Sequence, residues 1–197
     1  MIRIDDRRVS PRGDATGFVL WQLGFRPFYL LGSAFAALSI LLWVCQYTGH
    51  LPVGYLRTPA WHSHEMLFGY TMSVVAGFLL TAVRNWTGRP TPTGGALFAL
   101  AALWVAGRVL VLTPFAAAAA LVNAAFPLAL AVGIGVPLVQ SRNRRNYFFV
   151  ALLVLLGMAA GSWHLSHLDV FPWPERVSLQ VGLDVVLFIM AVMGGRV

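Results

Sequence analysis

The sequence predicts an all-α fold: a polytopic transmembrane helix bundle of about six spans. Hydrophobic residues make up 58% of the 197 residues and charged residues 11%, whereas a soluble domain carries about 25% charged residues. The mean hydropathy is +0.74. The apolar residues form six long runs separated by short polar breaks, and we expect runs of this length to be surrounded by lipid.

Each run is close to the roughly 20 apolar residues that cross a bilayer, and the breaks are rich in Gly and Pro, as loops are. Residues 1–26 mix both charges with Pro and Gly and lack the features of a signal peptide, so we expect a cytoplasmic tail. The predicted spans, which together form one transmembrane domain over residues 27–197, are 27–47, 61–83, 95–112, 115–140, 147–168 and 177–197.

The distribution of positive charge predicts the topology. All 14 basic residues are arginine, and the formal net charge is +7. A basic chain can indicate a nucleic-acid partner, but these arginines flank apolar runs. If the N-terminus is cytoplasmic, only Arg57 and Arg176 fall on the outer side. This bias follows the positive-inside rule and predicts N-in, C-in topology with no nucleic-acid partner.

The last predicted span runs to the final residue without a polar tail. We therefore expect these six spans to be the N-terminal half of a longer protein, with the other half as a partner in the bilayer.

All five histidines fall near the predicted outer face. His62 and His64 open the second span, and His164 and His167 close the fifth. Residues three apart share a helix face, but residues two apart point about 200° from each other. His62 and His64 could therefore bind one metal only if the helix begins after His62. Histidine is a common ligand of metals and of haem iron, so these four are candidate metal ligands. Simple contact with water and headgroups is the alternative.

Gly157 and Gly161 lie on the same face of the fifth span as His164. Small residues at this spacing favour close helix packing. Alternatively, they clear room for a flat macrocycle beside an axial histidine.

Four other polar residues lie in the outer halves of the spans: Glu65, Arg108, Asn123 and Asp184. Ionisable groups inside a bilayer are costly and mark functional candidates. Glu65 could support a histidine ligand, carry protons, or accept hydrogen bonds from the start of its helix. Arg108 and Asp184 have similar predicted depths, so we expect an ion pair between them. Alternatively, Arg108 binds an anionic group such as a haem propionate and Asp184 carries protons.

Three segments resemble one known family. Residues 24–32 read GFRPFYLLG, residues 61–69 read WHSHEMLFG, and residues 76–83 read AGFLLTAV, followed by NWTG at 85–88. They resemble NnrS family proteins, and the second segment is the most specific. Arg84 stands where the family pattern has proline. The resemblance extends from about residue 20 to the end of the chain.

The resemblance implies a haem- and copper-containing protein of the bacterial inner membrane that is linked to defence against nitric oxide. A second class of function is the alternative: half of a transporter or channel with Glu65, Arg108 and Asp184 along a substrate path. That alternative predicts polar residues on both sides of the midplane, and the inner halves of the spans have almost none. A purely structural subunit is a third possibility.

Overall fold

The computed structural model describes residues 19–51, 55–56, 58–170 and 172–195. These ranges leave out most of the predicted tail (1–18), Arg57, Arg196 and the final Val197. The described helices are α1 (Phe25–Tyr47), α2 (Thr58–His64), a π-helix (Glu65–Thr71), α3 (Met72–Thr87), α4 (Gly94–Leu110), α5 (Ala116–Gln140), α6 (Phe148–His167) and α7 (Glu175–Gly194). No strand occurs in the described ranges.

The number and type of the helices confirm the predicted all-α transmembrane bundle. The α2, π-helical and α3 segments follow one another without a break and give a 29-residue span, Pro59–Thr87. Five helices are long and apolar enough to cross a membrane. The sixth, α4, has 17 residues and extends about 26 Å. Large apolar side chains face outward, including Leu121, Val132 and Met190, as expected for a multi-pass protein in contact with lipid.

The two ends of the bundle differ in composition. The end that includes His50, His62, His64, His164 and His167 is called the histidine end below. The opposite end contains the turns after α3 and α5, with Arg84, Arg89, Arg142, Arg144 and Arg145. Gly88, with φ of 64°, ends α3 in the left-handed conformation, which glycine adopts without a steric penalty. This separation of residue types agrees with the predicted topology.

The two glycines of α6 serve helix packing. A Cβ atom at Gly157 would lie 3.0 Å from two side-chain atoms of Leu128 and 3.1 Å from the carbonyl oxygen of Ala124. A Cβ at Gly161 would lie 3.4 Å from the Cβ of Ala124. Both glycines therefore face α5, where the absence of side chains permits close approach, and the space beside them is filled by that helix.

The residues before α1 pack against the bundle. Val19–Gln22 form a short 3-10 helix, and the ring of Trp21 meets Phe98 of α4 edge to face, with centroids 5.2 Å apart. Arg26, at the second position of α1, donates to the carbonyl oxygen of Val19 over 2.7 Å. The helix thus begins two residues before the predicted span. The part of the predicted tail that the structure describes is joined to this helix by the Arg26 hydrogen bond.

Candidate metal centre

Two of the four candidate histidines meet in the interior of the histidine end. The rings of His64 and His164 lie with their centroids 4.7 Å apart and their planes at 60°. Both side chains are fully buried. The ring of Trp163 contacts both, at 4.7 Å from His64 and 5.1 Å from His164. These two histidines are called the inner pair below.

The hydrogen bond of His64 fixes which of its nitrogens is free. Its Nδ1 lies 2.8 Å from Oε1 of Glu65. An ionised carboxylate only accepts hydrogen bonds, so Nδ1 carries the proton and donates it. The lone pair is then on Nε2, which is buried and has no hydrogen-bond partner among the described residues. A carboxylate behind a histidine in this way is the usual support of a metal-binding imidazole.

His164 has the same arrangement with a phenol in place of the carboxylate. Its Nδ1 lies 2.7 Å from the hydroxyl of Tyr55, and its Nε2 is likewise buried with no partner in the described part of the chain. Burial, and then the negative charge of Glu65, raise the pKa of Tyr55 well above its usual value. The phenol therefore stays neutral and can accept a hydrogen bond from Nδ1, and in that tautomer the Nε2 lone pair is free.

His62 does not join the inner pair. The helix begins at Thr58, before His62, so the condition under which both residues of the H-x-H unit could bind one metal is not met. His62 instead stacks on Trp43 of α1, with ring centroids 4.4 Å apart and planes at 21°. Its position on the opposite side of the helix from His64 follows from the two-residue spacing.

His167 shares a helix face with His164, as predicted, and both rings contact Tyr55. Both of its nitrogens are occupied, however. Nδ1 lies 2.8 Å from Oε1 of Glu175, and Nε2 lies 3.1 Å from the carbonyl oxygen of Tyr55. His167 therefore tethers the segment that contains Tyr55 and has no free lone pair to offer to a metal.

A buried charge cluster lies behind His64. Nη1 of Arg108 donates to both carboxylate oxygens of Glu65 over 3.0 Å, and Nη2 donates to Oδ1 of Asn123. The guanidinium lies against two aromatic rings, 5.9 Å from the centroid of Phe35 and 5.7 Å from that of Trp104. The positive charge of Arg108 thus favours the ionised form of Glu65 and holds its carboxylate in position to accept from His64.

The π-helix makes room for this cluster. A Cβ at Gly69 would overlap Nη1 of Arg108 and lie 3.0 Å from Oε2 of Glu65. The carbonyl oxygen of Gly69 accepts a hydrogen bond of 3.0 Å from the indole of Trp104. π-helical turns inside longer helices are frequent at functional sites, and here the turn begins at Glu65 itself.

The predicted ion pair between Arg108 and Asp184 is wrong. Arg108 is bonded to Glu65 and Asn123, whereas Asp184 is exposed on the outside of α7 and accepts a hydrogen bond of 2.7 Å from Gln180. Spacing along a helix predicts depth but not the direction in which a side chain points around the bundle. Nε of Arg108 is buried and has no hydrogen-bond partner among the described residues, so the alternative role as a propionate contact stays a prediction.

Several residues of the site were not predicted from sequence. Tyr55 is in a loop, and no spacing rule relates it to His164. Trp163 is buried against both inner histidines, and Trp61 is buried in the same apolar cluster as Trp163. Of the residues that were missed, Gly69 was the easiest to predict, because it ends the segment WHSHEMLFG and lies one turn after Glu65.

The inner pair fits a metal ion better than haem. Two buried imidazole nitrogens with free lone pairs are suitable ligands for copper. Rings packed edge to face with centroids 4.7 Å apart leave no space for a macrocycle between them. Within the described ranges, no group of three or more His, Cys, Asp and Glu side chains is arranged to hold a metal, so the inner pair offers two ligands. Zinc usually takes four ligands and is therefore less suited to a site with two.

Comparison with known proteins identifies the family. The family model described as NnrS protein matches residues 19–197, and this range includes every residue of the site. Searches of curated proteins and of solved structures gave no match. The chain belongs to the NnrS family.

Proposed function

We propose that this protein is an integral-membrane copper-binding protein that acts in the bacterial response to nitric oxide. The observation that carries the proposal is the inner pair, in which two fully buried imidazoles each have an unpartnered Nε2. Burying a polar nitrogen without a partner is unfavourable. A metal ion bound by both atoms removes that cost.

Each residue around the pair has a defined part in this proposal. His64 and His164 bind the ion through Nε2. Glu65 and Tyr55 fix the tautomers from behind, and Arg108 holds Glu65 in place. Bound copper supplies a site for one-electron exchange and for a small ligand such as nitric oxide. Trp163 covers the pair and excludes water from it.

The family resemblance also implies haem, and the inner pair does not fit that group. We therefore propose that any haem is held elsewhere, including by a second membrane-embedded half of the protein. We further propose that the membrane is the bacterial inner membrane and that the histidine end faces the periplasm. The arginines at the opposite end support this orientation.

A transporter function has less support. That alternative requires Glu65, Arg108 and Asp184 to line one path. Glu65 and Arg108 are bonded to each other in the interior, while Asp184 faces outward from α7. Asp184 is therefore separated from the other two side chains by the wall of the helix bundle.

The test is copper binding by matched double variants. The purified protein, stripped of metal in detergent, is titrated with Cu(I) against a competing chelator. We expect His64→Ala/His164→Ala to abolish binding. The control, His50→Ala/His62→Ala, removes the same number of imidazoles from the same end and should bind like wild type. Cells that carry each variant are then grown with a nitric oxide donor, and only the first variant should be sensitive.

Two results would contradict the proposal. Wild-type protein that binds no Cu(I), or equal binding by both double variants, would exclude the inner pair as a copper site. Normal copper binding with no difference in growth would retain the site but reject the role in the nitric oxide response.

A further inference from the structure

Asp184 lies at the middle of a transmembrane helix and faces away from the bundle. It is nine residues after the start of the 20-residue α7, which places it about 14 Å along a helix of about 30 Å. Its side chain is exposed. A carboxylate that faces hydrocarbon at this depth is costly, and such groups are almost always paired or turned inward.

The hydrogen bonds of Asp184 are incomplete. Nε2 of Gln180 donates to Oδ1 over 2.7 Å, and no other partner is found among the described residues. Glu65, the other carboxylate inside a span, accepts from both His64 and Arg108. The α7 site therefore presents unused acceptors, on Asp184 and on the amide oxygen of Gln180, to whatever lies beside it.

The surface around these acceptors has the shape of a helix-binding face. Four exposed residues of α7 follow the alternating four- and three-residue spacing of a helix–helix seam: Gln180, Asp184, Leu187 and Ala191. Beside them lies a groove of about 460 Å³ between α7 and the second span, lined by Ser63, Met66, Leu67, Thr71, Arg176, Leu179, Gln180 and Leu183.

We propose that this face of α7 binds a transmembrane helix from outside residues 1–197 that carries an arginine or lysine at mid-membrane depth. Charge complementarity supports this occupant, because Oδ2 of Asp184 and the amide oxygen of Gln180 are acceptors without a donor among the described residues. A second copy of the chain is a poorer fit. Copies with the same topology meet about an axis normal to the membrane, which would place Asp184 against Asp184 and Arg176 against Arg176.

The test measures association with synthetic helices in lipid vesicles. The full chain carries a fluorescent donor, and the probes are acceptor-labelled Leu/Ala host helices of about 21 residues with either arginine or leucine at the central position. We expect the arginine helix to bind about threefold to tenfold more tightly, as interhelical polar contacts in membranes do. Asp184→Asn should weaken this preference, and Asp184→Leu should abolish it.

A matched pair of groove variants locates the docking face. Leu183→Trp fills the groove beside α7, whereas Leu128→Trp fills an apolar groove between α5 and α6; the two leucines are 43% and 41% exposed. Only Leu183→Trp should reduce binding of the arginine helix. Circular dichroism and size-exclusion chromatography establish that each variant is folded.

Three results would overturn the proposal. The first is equal binding of the arginine and leucine helices to the wild-type chain. The second is a preference that persists in Asp184→Leu. The third is energy transfer between copies of the wild-type chain that Asp184→Leu removes, which would make a second copy the occupant.

Discussion

The inner pair, His64 and His164, differs from His62 and His167 in what surrounds each ring. Each inner histidine has one nitrogen occupied by a side chain behind it and one nitrogen free. His62 is held by stacking on Trp43, and His167 has both nitrogens occupied. All four are histidines near the end of a span, so residue type and depth do not distinguish a ligand from a structural group. The inner histidines are distinguished by a side chain that hydrogen-bonds to each Nδ1 and by the contact between their rings, whereas the buried Nδ1 of His62 has no partner among the described residues.

The largest expected effect is on copper binding by single variants. His64→Ala and His164→Ala should each lower the Cu(I) affinity by more than about 100-fold, since loss of a ligand exceeds the 10- to 100-fold effect of removing a supporting partner. His62→Ala should leave the affinity unchanged. Competition titration against a chelator measures all three. A large effect of His62→Ala would remove the distinction between the two sets of histidines.

The next effect is on stability. Arg108→Leu leaves Glu65 as an uncompensated buried charge and should cost about 3–5 kcal/mol. Unfolding in detergent measures this loss, and the control is Arg84→Leu, which removes an exposed arginine whose hydrogen bond to the carbonyl oxygen of Gln22 is 3.4 Å long. Equal stability of the two variants would show that Arg108 does not support the inner pair through Glu65.

A smaller effect is expected at the phenol behind His164. Tyr55→Phe removes the hydroxyl that is hydrogen-bonded to Nδ1 and should lower the Cu(I) affinity about tenfold without changing the stoichiometry. Tyr47→Phe, at a residue that is 77% exposed, is the matched control. An affinity unchanged by Tyr55→Phe would mean that the tautomer of His164 is not fixed by this hydrogen bond.

The smallest effect is expected at His167. His167→Gln keeps a side-chain donor but loses the pairing with Glu175, so the Tyr55 segment should be held less firmly. The Cu(I) affinity should fall by less than in Tyr55→Phe, because His167 acts on the pair only through that segment. The same titration compares the two variants. A loss as large as that of His164→Ala would make His167 a ligand.

The helices were largely predictable because lipid imposes a simple requirement. A span needs about 20 apolar residues, so each predicted span overlaps a helix, with ends that differ by a few residues. The π-helix at Glu65–Thr71 could not be read from hydropathy. Its Gly69 lies against Arg108 and accepts a hydrogen bond from Trp104, and both of these residues are on another helix.

The site was only partly predictable. His64, His164, Glu65, Arg108 and Asn123 were identified as candidates, and the structure brings them together. Their pairing was not predicted, because α4 packs mainly against α5, whereas α7 packs mainly against α6. Arg108 therefore meets Glu65 and Asn123, and Asp184 is left on the outside.

The sequence by itself determined the membrane-spanning helices, the gathering of histidines at one end and the approximate depth of each polar residue. Hydropathy and helical rise act along the chain, so these properties can be read from spacing alone. Only the tertiary structure decided which histidine nitrogens are free, which carboxylate is buried and which faces outward. Those properties depend on the rotation of each helix about its axis and on its neighbours in the bundle, which residue spacing does not specify.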